Sequence, residues 1–594
     1  MNFRRLRLRS RRLFRKQQKQ VESLSAQTEQ QIEKHVVKRF GRLSAVRRFV
    51  ISWLLLVLLL IGGMVGQNIA LSNYFQTVQP VPGGIYKEGV LGSFTNANPM
   101  YATSNADATV SRLVFAGLLK HDVNNKLVGE LATGYTTDAN GLTYTLKLKP
   151  NLSWQDGQPL TSADVVYTFQ TIQNPDAQSP LKSSWQGIEV TAPDPHTVVF
   201  TLPSPLAAFP YNLTTGIVPK HILSKIAPAD LRSAEFNTVS PIGAGPFVWQ
   251  AIEVKGSDPK KSQQQIALLP FEDYILGEPK LSEFIVYVYA DQQQLLDSFS
   301  AGKITAIEGL NSLPKKITNK PGVYIHDLPL NAANMVFFKT TNGILADKEI
   351  RKALVQAADV PKIISKLSYP ARMVNEPILQ GQAGYDPTYA QAGFDLPAAK
   401  QRLDAAGWKA GANGVRQKDN KRLTFKLAVA DTPESRMVAS QLQQQWKALG
   451  VDMQIDVQKP SDFQSTLSYH SYDAVLYGIT IGSDPDVFVY WASSQADVRS
   501  GSRLNLSEYK NSNVDTALEA GRTRRDPALR TIKYRPFLQA WQQDAPALGL
   551  YQPRLLHATN GPLFGLSDHS IDSPVGRLNN VHNWQIRQAK VTNE

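Results

Sequence analysis

Residues 49–86 carry no charge, and residues 49–71 within that stretch read FVISWLLLVLLLIGGMVGQNIAL. As a helix at 1.5 Å per residue these 23 residues extend about 34 Å, enough to cross a hydrocarbon core of ~30 Å. A cleavable signal peptide has a short basic lead and an apolar run of about 7–15 residues. Here 48 residues precede a longer run, so a retained signal anchor is expected, with cleavage near Ala70 as the alternative. Arg39, Arg42, Arg47 and Arg48 stand before the run and nothing comparable follows it. The N-terminus is therefore expected in the cytoplasm and the large C-terminal part outside.

The net charge of +14 would suggest nucleic acid if it were spread over a face. It is not. Residues 1–50 hold 15 Lys/Arg against 3 Asp/Glu, whereas the remaining 544 residues hold 49 against 47. A basic tail beside an apolar run is a topology signal, and no nucleic-acid partner is expected. Within the tail, Val21, Leu24, Thr28, Ile32, Val36, Phe40 and Leu43 recur at helical spacing. This stripe suits an inner-leaflet surface, a partner helix or a weakly amphipathic solvated helix. Residues 72–84, with Pro80, Pro82, Gly83 and Gly84, read as a flexible tether.

The remainder is too long for one ordinary core, and with 42% hydrophobic residues overall it can bury more than one. Residues 142–148, 197–202 and 284–289 have strand character, and the first alternates apolar and polar side chains at period two. Residues 347–358, 396–406 and 433–449 read as helices, with Asp347 as an N-cap and Gly450 as a stop. Strands alternating with helices argue for an α/β architecture.

Chemistry-bearing motifs are scarce. The chain has no cysteine, which excludes disulfides, thiolate metal sites and a lipid-modified cysteine anchor. Its nine histidines are scattered, and neither a Gly-x-Ser-x-Gly elbow nor a phosphate loop occurs. No catalytic residue, metal or cofactor is therefore assigned. Asp156-Gly157 reads as a tight turn rather than a carboxylate site. Gly243-Ala-Gly245 lacks the third glycine of a dinucleotide fingerprint and reads as a turn before a strand.

One ordered series of motifs is specific. Residues 113–172 contain a Gly-Leu-Leu helix end, Leu131-Ala132, and then Trp154, Asp156, Gly157, Pro159, Thr161, Asp164 and Val165. Gly243-Ala-Gly-Pro-Phe247, Asp347…Ile350-Arg351…Ala353…Asp359, Asp395…Leu403…Gly407, Asp484-Pro485-Asp486 and Asn505…Tyr509…Asp515 follow. This order resembles the family 5 extracellular solute-binding proteins of peptide and nickel importers, over about residues 85–594. The resemblance implies a two-lobed, periplasmic-binding-protein-like α/β ectodomain of type II, in the large peptide-binding subclass, preceded by one transmembrane helix. It implies one lobe over 85–330 plus 550–594 and a second over 331–549, with crossing strands near 323–338 and 548–557 as the hinge. By family position the ligand-binding candidates are Thr103, Asn105, Trp185, Thr480, Ile481, Asp484 and Tyr551.

The implied partners are a peptide or other small solute and the permease subunits of an ABC importer. A membrane-tethered sensor using the same cleft is the alternative reading, and an extracellular hydrolase has no motif behind it. One departure concerns specificity. Peptide-binding relatives carry an acidic residue beside a tryptophan shortly before the Asp-Pro turn, where it meets the peptide's α-amino group. Here Ile479 stands where the tryptophan is expected and no acid precedes Asp484 in the loop 477–485. The expectation is a ligand without a free α-amine, unless Asp484 or Asp107 takes over that role.

Overall fold

The computed structural model describes residues 47–256, 262–310, 312–341, 343–411, 413–497, 500 and 503–592. The amphipathic stripe expected in the basic tail falls outside these residues. The chain divides into two compact units, residues 1–79 with 588–594 and residues 80–587. In the first unit a helix runs from Arg47 to Phe75. Its Phe49–Ile69 segment has a mean hydropathy of 2.6 and is not buried by protein, so it is long and apolar enough to span a membrane. The stretch read as a flexible tether is more ordered than expected. Gln76–Val81 is a strand paired with Arg587–Thr592. A remote partner strand overrides the Pro/Gly signal there, and such a partner is invisible to local pattern.

The second unit is built on three main sheets. The largest has seven strands in the order Val323–Pro329, Arg554–Asn560, Ala306–Glu308, Ile85–Leu91, Glu283–Tyr289, Gln263–Pro270, Phe247–Lys255. A four-stranded antiparallel sheet, containing Thr143–Leu148 and Thr197–Thr201, shares its core. In Thr143–Leu148 the alternate residues Tyr144, Leu146 and Leu148 are the buried ones, as period two requires. The third sheet has five strands in the order Asp452–Gln458, Thr424–Ala430, Ala474–Thr480, Ala332–Phe338, Ala547–Tyr551.

The strand Ala332–Phe338 shows why this sheet is sequestered. Its run AANMVFF is apolar almost throughout, and both faces are buried. Ala333, Met335 and Phe337 enter one core, while Val336 and Phe338 enter the core on the opposite face. A strand covered on both faces needs such a continuous apolar run. Helices close the layers. Asp347 caps Lys348–Gln356 by accepting from the Glu349 N–H at 2.9 Å. Pro433–Leu449 ends at Gly450 in the left-handed region (φ +91°) and buries Val438, Leu442 and Trp446 along one face.

Two adjacent segments connect the lobes. Val323–Pro329 pairs with Arg554–Asn560 in the seven-stranded sheet. Across Leu330-Asn331 and Gln552-Pro553, the same two chains continue as Ala332–Phe338 and Ala547–Tyr551, paired in the five-stranded sheet. The Leu330 N–H donates to the Pro553 carbonyl at 3.0 Å, which ties the two connections to each other.

The motif turns prove to be scaffold. The Trp154 N–H donates to the Gln158 carbonyl at 2.8 Å, forming the turn read from Asp-Gly. Between them, Gln155 accepts from the Gly243 N–H at 3.0 Å and donates to the Phe247 carbonyl at 2.8 Å. A Cβ on Gly243 would lie 2.0 Å from the Val114 carbonyl oxygen, so only glycine fits. The two most recognisable motifs are thus bonded to each other.

A candidate solute-binding cleft between the lobes

The loop following Ala474–Thr480 reaches the other lobe. Ile481 and Gly482 leave the sheet with both N–H groups on the Asn331 carbonyl, at 2.8 and 2.9 Å. That anchorage presents Ser483-Asp484-Pro485-Asp486 toward the first lobe. A cavity of about 560 Å³ lies there, lined by Asn125, Lys126, Tyr135 and Tyr211 from one side and Gln382, Ser483, Asp484, Arg525 and Arg530 from the other. A second cavity of about 900 Å³ is walled by Ser183, Ser184, Leu206 and Asn212 opposite Asp486, Val489 and Arg522. Both are large enough for a small organic solute.

The electrostatics of this cleft are largely internal. Arg530 donates from Nη1 to Asp484 Oδ2 at 2.6 Å and from Nη2 to Asp484 Oδ1 at 2.5 Å. Burial alone would lower the Arg530 pKa, but the hydrogen-bonded carboxylate outweighs it and holds the group above its ordinary value. Arg522 pairs with Asp486 at 2.9 Å and lies over the Phe488 ring. Asp572 Oδ1 accepts from Ser483 Oγ and Asn331 Nδ2, each at 2.7 Å, and from Asn125 Nδ2 at 3.4 Å. Burial pushes the Tyr211 phenol up to about 12, with Asp484 adding to the shift. It stays neutral at physiological pH and can donate to a solute.

Among the seven sequence-based candidates, Asp484 lines the cleft. Thr480 and Ile481 precede it, Ile481 buried and the Thr480 carbonyl accepting from Tyr490 Oη at 2.6 Å. Trp185 follows the cavity-lining Ser183 and Ser184, but its ring stacks on Phe169 at 3.9 Å and is buried in the core. An indole of that size is a dominant filler among Phe169, Phe200 and Phe209. Tyr551 is likewise buried and donates to Glu434 Oε1 at 2.8 Å. Thr103 is exposed beside the helix Asn105–Val114. Asn105 donates to both oxygens of Glu308, at 3.0 and 2.7 Å.

That Glu308 belongs to a buried cluster with Glu88 and Arg577, in which Arg577 grips Glu88 at 3.1 and 2.7 Å. Asp107, the other acid considered as an amine partner, is engaged by the Thr95, Asn96 and Ser104 N–H groups. Sequence reasoning missed Arg530, Ser483, Asn125 and Asp572, which carry no shared spacing. Among the described residues no group of three His, Cys, Asp or Glu is placed to hold a metal ion.

Two lobes on separate sheets, two adjacent connections and a polar cleft between them define a periplasmic binding protein of type II. The model of the bacterial extracellular solute-binding proteins, family 5, matches residues 126–500, and the chain belongs to that family. It is 26% identical over 528 residues to the oligopeptide-binding protein AppA of Bacillus subtilis, covering 86% of this chain and 92% of that protein. It is 25% identical over 505 residues to the probable D,D-dipeptide-binding periplasmic protein DdpA of Escherichia coli, covering 82% and 91%. Among solved structures it resembles NikZ of Campylobacter jejuni in complex with Ni(L-His). That match has a TM-score of 0.71 and 26% identity, covering 85% of this chain and all of NikZ. The protein thus has an extracellular solute-binding domain and, among the described residues, one N-terminal helix long and apolar enough to span a membrane.

Proposed function

We propose that this protein binds a peptide or similar small organic solute in the interlobe cleft and delivers it to the permease subunits of an ABC importer. The observation that carries this is the 560 Å³ cavity walled by both lobes, in a chain of the solute-binding family. Relatives named for oligopeptide and D,D-dipeptide binding support a peptide-like solute. In this reading the lobes comprise about residues 85–330 plus 550–594 and 331–549. Closure about the paired connections at 330–331 and 552–553 buries the solute. Asp484 lines the cavity and is held by Arg530, and Thr480 and Ile481 lead into its loop. No catalytic step is part of the reading.

The anchor places the N-terminus in the cytoplasm and tethers the receptor beside its importer. Mass spectrometry of the full-length protein, purified in detergent, should detect a co-purifying small solute. Recovery of no solute, together with no binding from growth-medium extracts, would overturn the reading.

A further inference from the structure

The charges around the cleft are unequal in their availability. Each carboxylate there has partners: Asp484 is gripped by Arg530, Asp486 pairs with Arg522, and Asp572 accepts from Ser483, Asn331 and Asn125. His121 also faces Asp572, its Nε2 lying 3.5 Å from Oδ2. Asp497 on the second cavity's wall has its own partner. The cations differ. Lys126 and Arg525 line the 560 Å³ cavity from opposite lobes, and among the described residues neither has a carboxylate within ion-pair distance. Arg525 donates from Nη2 to the Asp138 carbonyl at 3.1 Å, which leaves its other N–H groups for a ligand.

Three cations and one carboxylate thus line the cavity, and Asp572 behind Ser483 adds a second carboxylate. The lining itself keeps a positive excess, with Asp138 acting on Arg525 from outside it. An entering ammonium would lose its hydration, meet only carboxylates already bonded, and lie near Lys126 and Arg525, two exposed cations without an ion-paired carboxylate, of which Arg525 also feels the Asp138 carboxylate. An entering carboxylate would instead meet Lys126 from one wall and the Arg525 fork from the other as the lobes close.

We propose that the cleft takes a carboxylate-bearing solute without a free amine, such as an N-blocked peptide or a sugar acid, with Lys126 and Arg525 as its specificity residues. The proposal rests on the receptor reading above. Calorimetry on the full-length protein in detergent, stripped of co-purified solute, should use tri-alanine, N-acetyl-tri-alanine, its C-terminal amide, glucuronic acid and glucose. The expected result is that N-acetyl-tri-alanine or glucuronic acid binds roughly tenfold tighter than its neutral counterpart, with Lys126→Gln or Arg525→Gln removing that preference. Which acid binds distinguishes the peptide source from the sugar source.

Tighter binding of free tri-alanine than of its acetylated form, abolished by Asp572→Asn or Asp484→Asn, would overturn the proposal and leave the receptor reading intact. Preference for the amide or for glucose would do the same. If none of the five binds, the composition of the co-purifying solute decides: a free amine or no acidic group overturns the proposal. Absence of both binding and co-purifying solute overturns both readings.

Discussion

Asn125 Nδ2 donates to Ser483 Oγ at 2.6 Å, a bond across the cleft between residues 358 apart in the chain. Ser483 in turn donates to Asp572, so one short chain of bonds joins the first lobe, the Asp-Pro loop and the C-terminal segment. These bonds favour the arrangement in which the two lobes touch at Ser483. Ser483→Ala should weaken solute binding about fivefold, the effect of ~1 kcal/mol from one lost hydrogen bond. Calorimetry checks this. An unchanged affinity would mean that the bond is replaced by water in the bound state.

The Asp484–Arg530 pair makes a sharper prediction. Their side chains are 11% and 5% exposed, so removing one partner leaves a nearly buried charge uncompensated. Arg530→Met should destabilise the protein by about 3 kcal/mol, while Arg530→Met with Asp484→Leu should recover much of the loss. Urea unfolding of the single and double variants measures the coupling. Additive losses would show that packing, not charge, holds the loop.

Glu376 sets a pH dependence. It is fully buried, Oε1 has no hydrogen-bond partner, and burial pushes its pKa from 4.5 up to about 8. A group raised in the folded state contributes no penalty below its unfolded pKa and an increasing one as pH rises toward the folded value. Glu376→Gln should therefore leave stability unchanged at pH 4.5 and raise it by about 3 kcal/mol at pH 7. Unfolding curves at both pH values test the sign. A variant equally displaced at both would assign the effect to shape.

Trp185 separates packing from ligand contact. Its ring is buried against Phe169, so Trp185→Ala should cost about 3–5 kcal/mol of stability. The folded fraction should bind solute with near-normal affinity. A variant of normal melting temperature and lost affinity would return Trp185 to the binding surface.

The apolar helix predicts retention in the membrane. Arginine at both Leu56 and Leu59 should block insertion, since each costs roughly 2.5–3.5 kcal/mol at a helix centre. Alkaline extraction should release this variant and not the wild type. An N-terminal sequence beginning near Ser72 on the mature protein would show cleavage instead.

What the sequence determined by itself is what local physics decides. The uncharged run at 49–71 meets the length and polarity demanded of a spanning helix, whatever follows it. Thr143–Leu148 alternates because a half-buried strand must, and Asp347 and Gly450 bound their helices through bonds and dihedrals a few residues long. The ordered motifs were legible because their turns impose residue types, although Gln155, which bonds the two together, carried no signal of its own. The cleft was decided only in three dimensions. Arg530 reaches Asp484 from 46 residues away, and Asp572 reaches Asn125 from 447. Trp185 turned inward because its neighbours are Phe169, Phe200 and Phe209, and Gln76–Val81 became a strand because Arg587–Thr592 arrives beside it. Periodicity and caps report on a few consecutive residues. They hold no information about which distant segments packing will bring face to face.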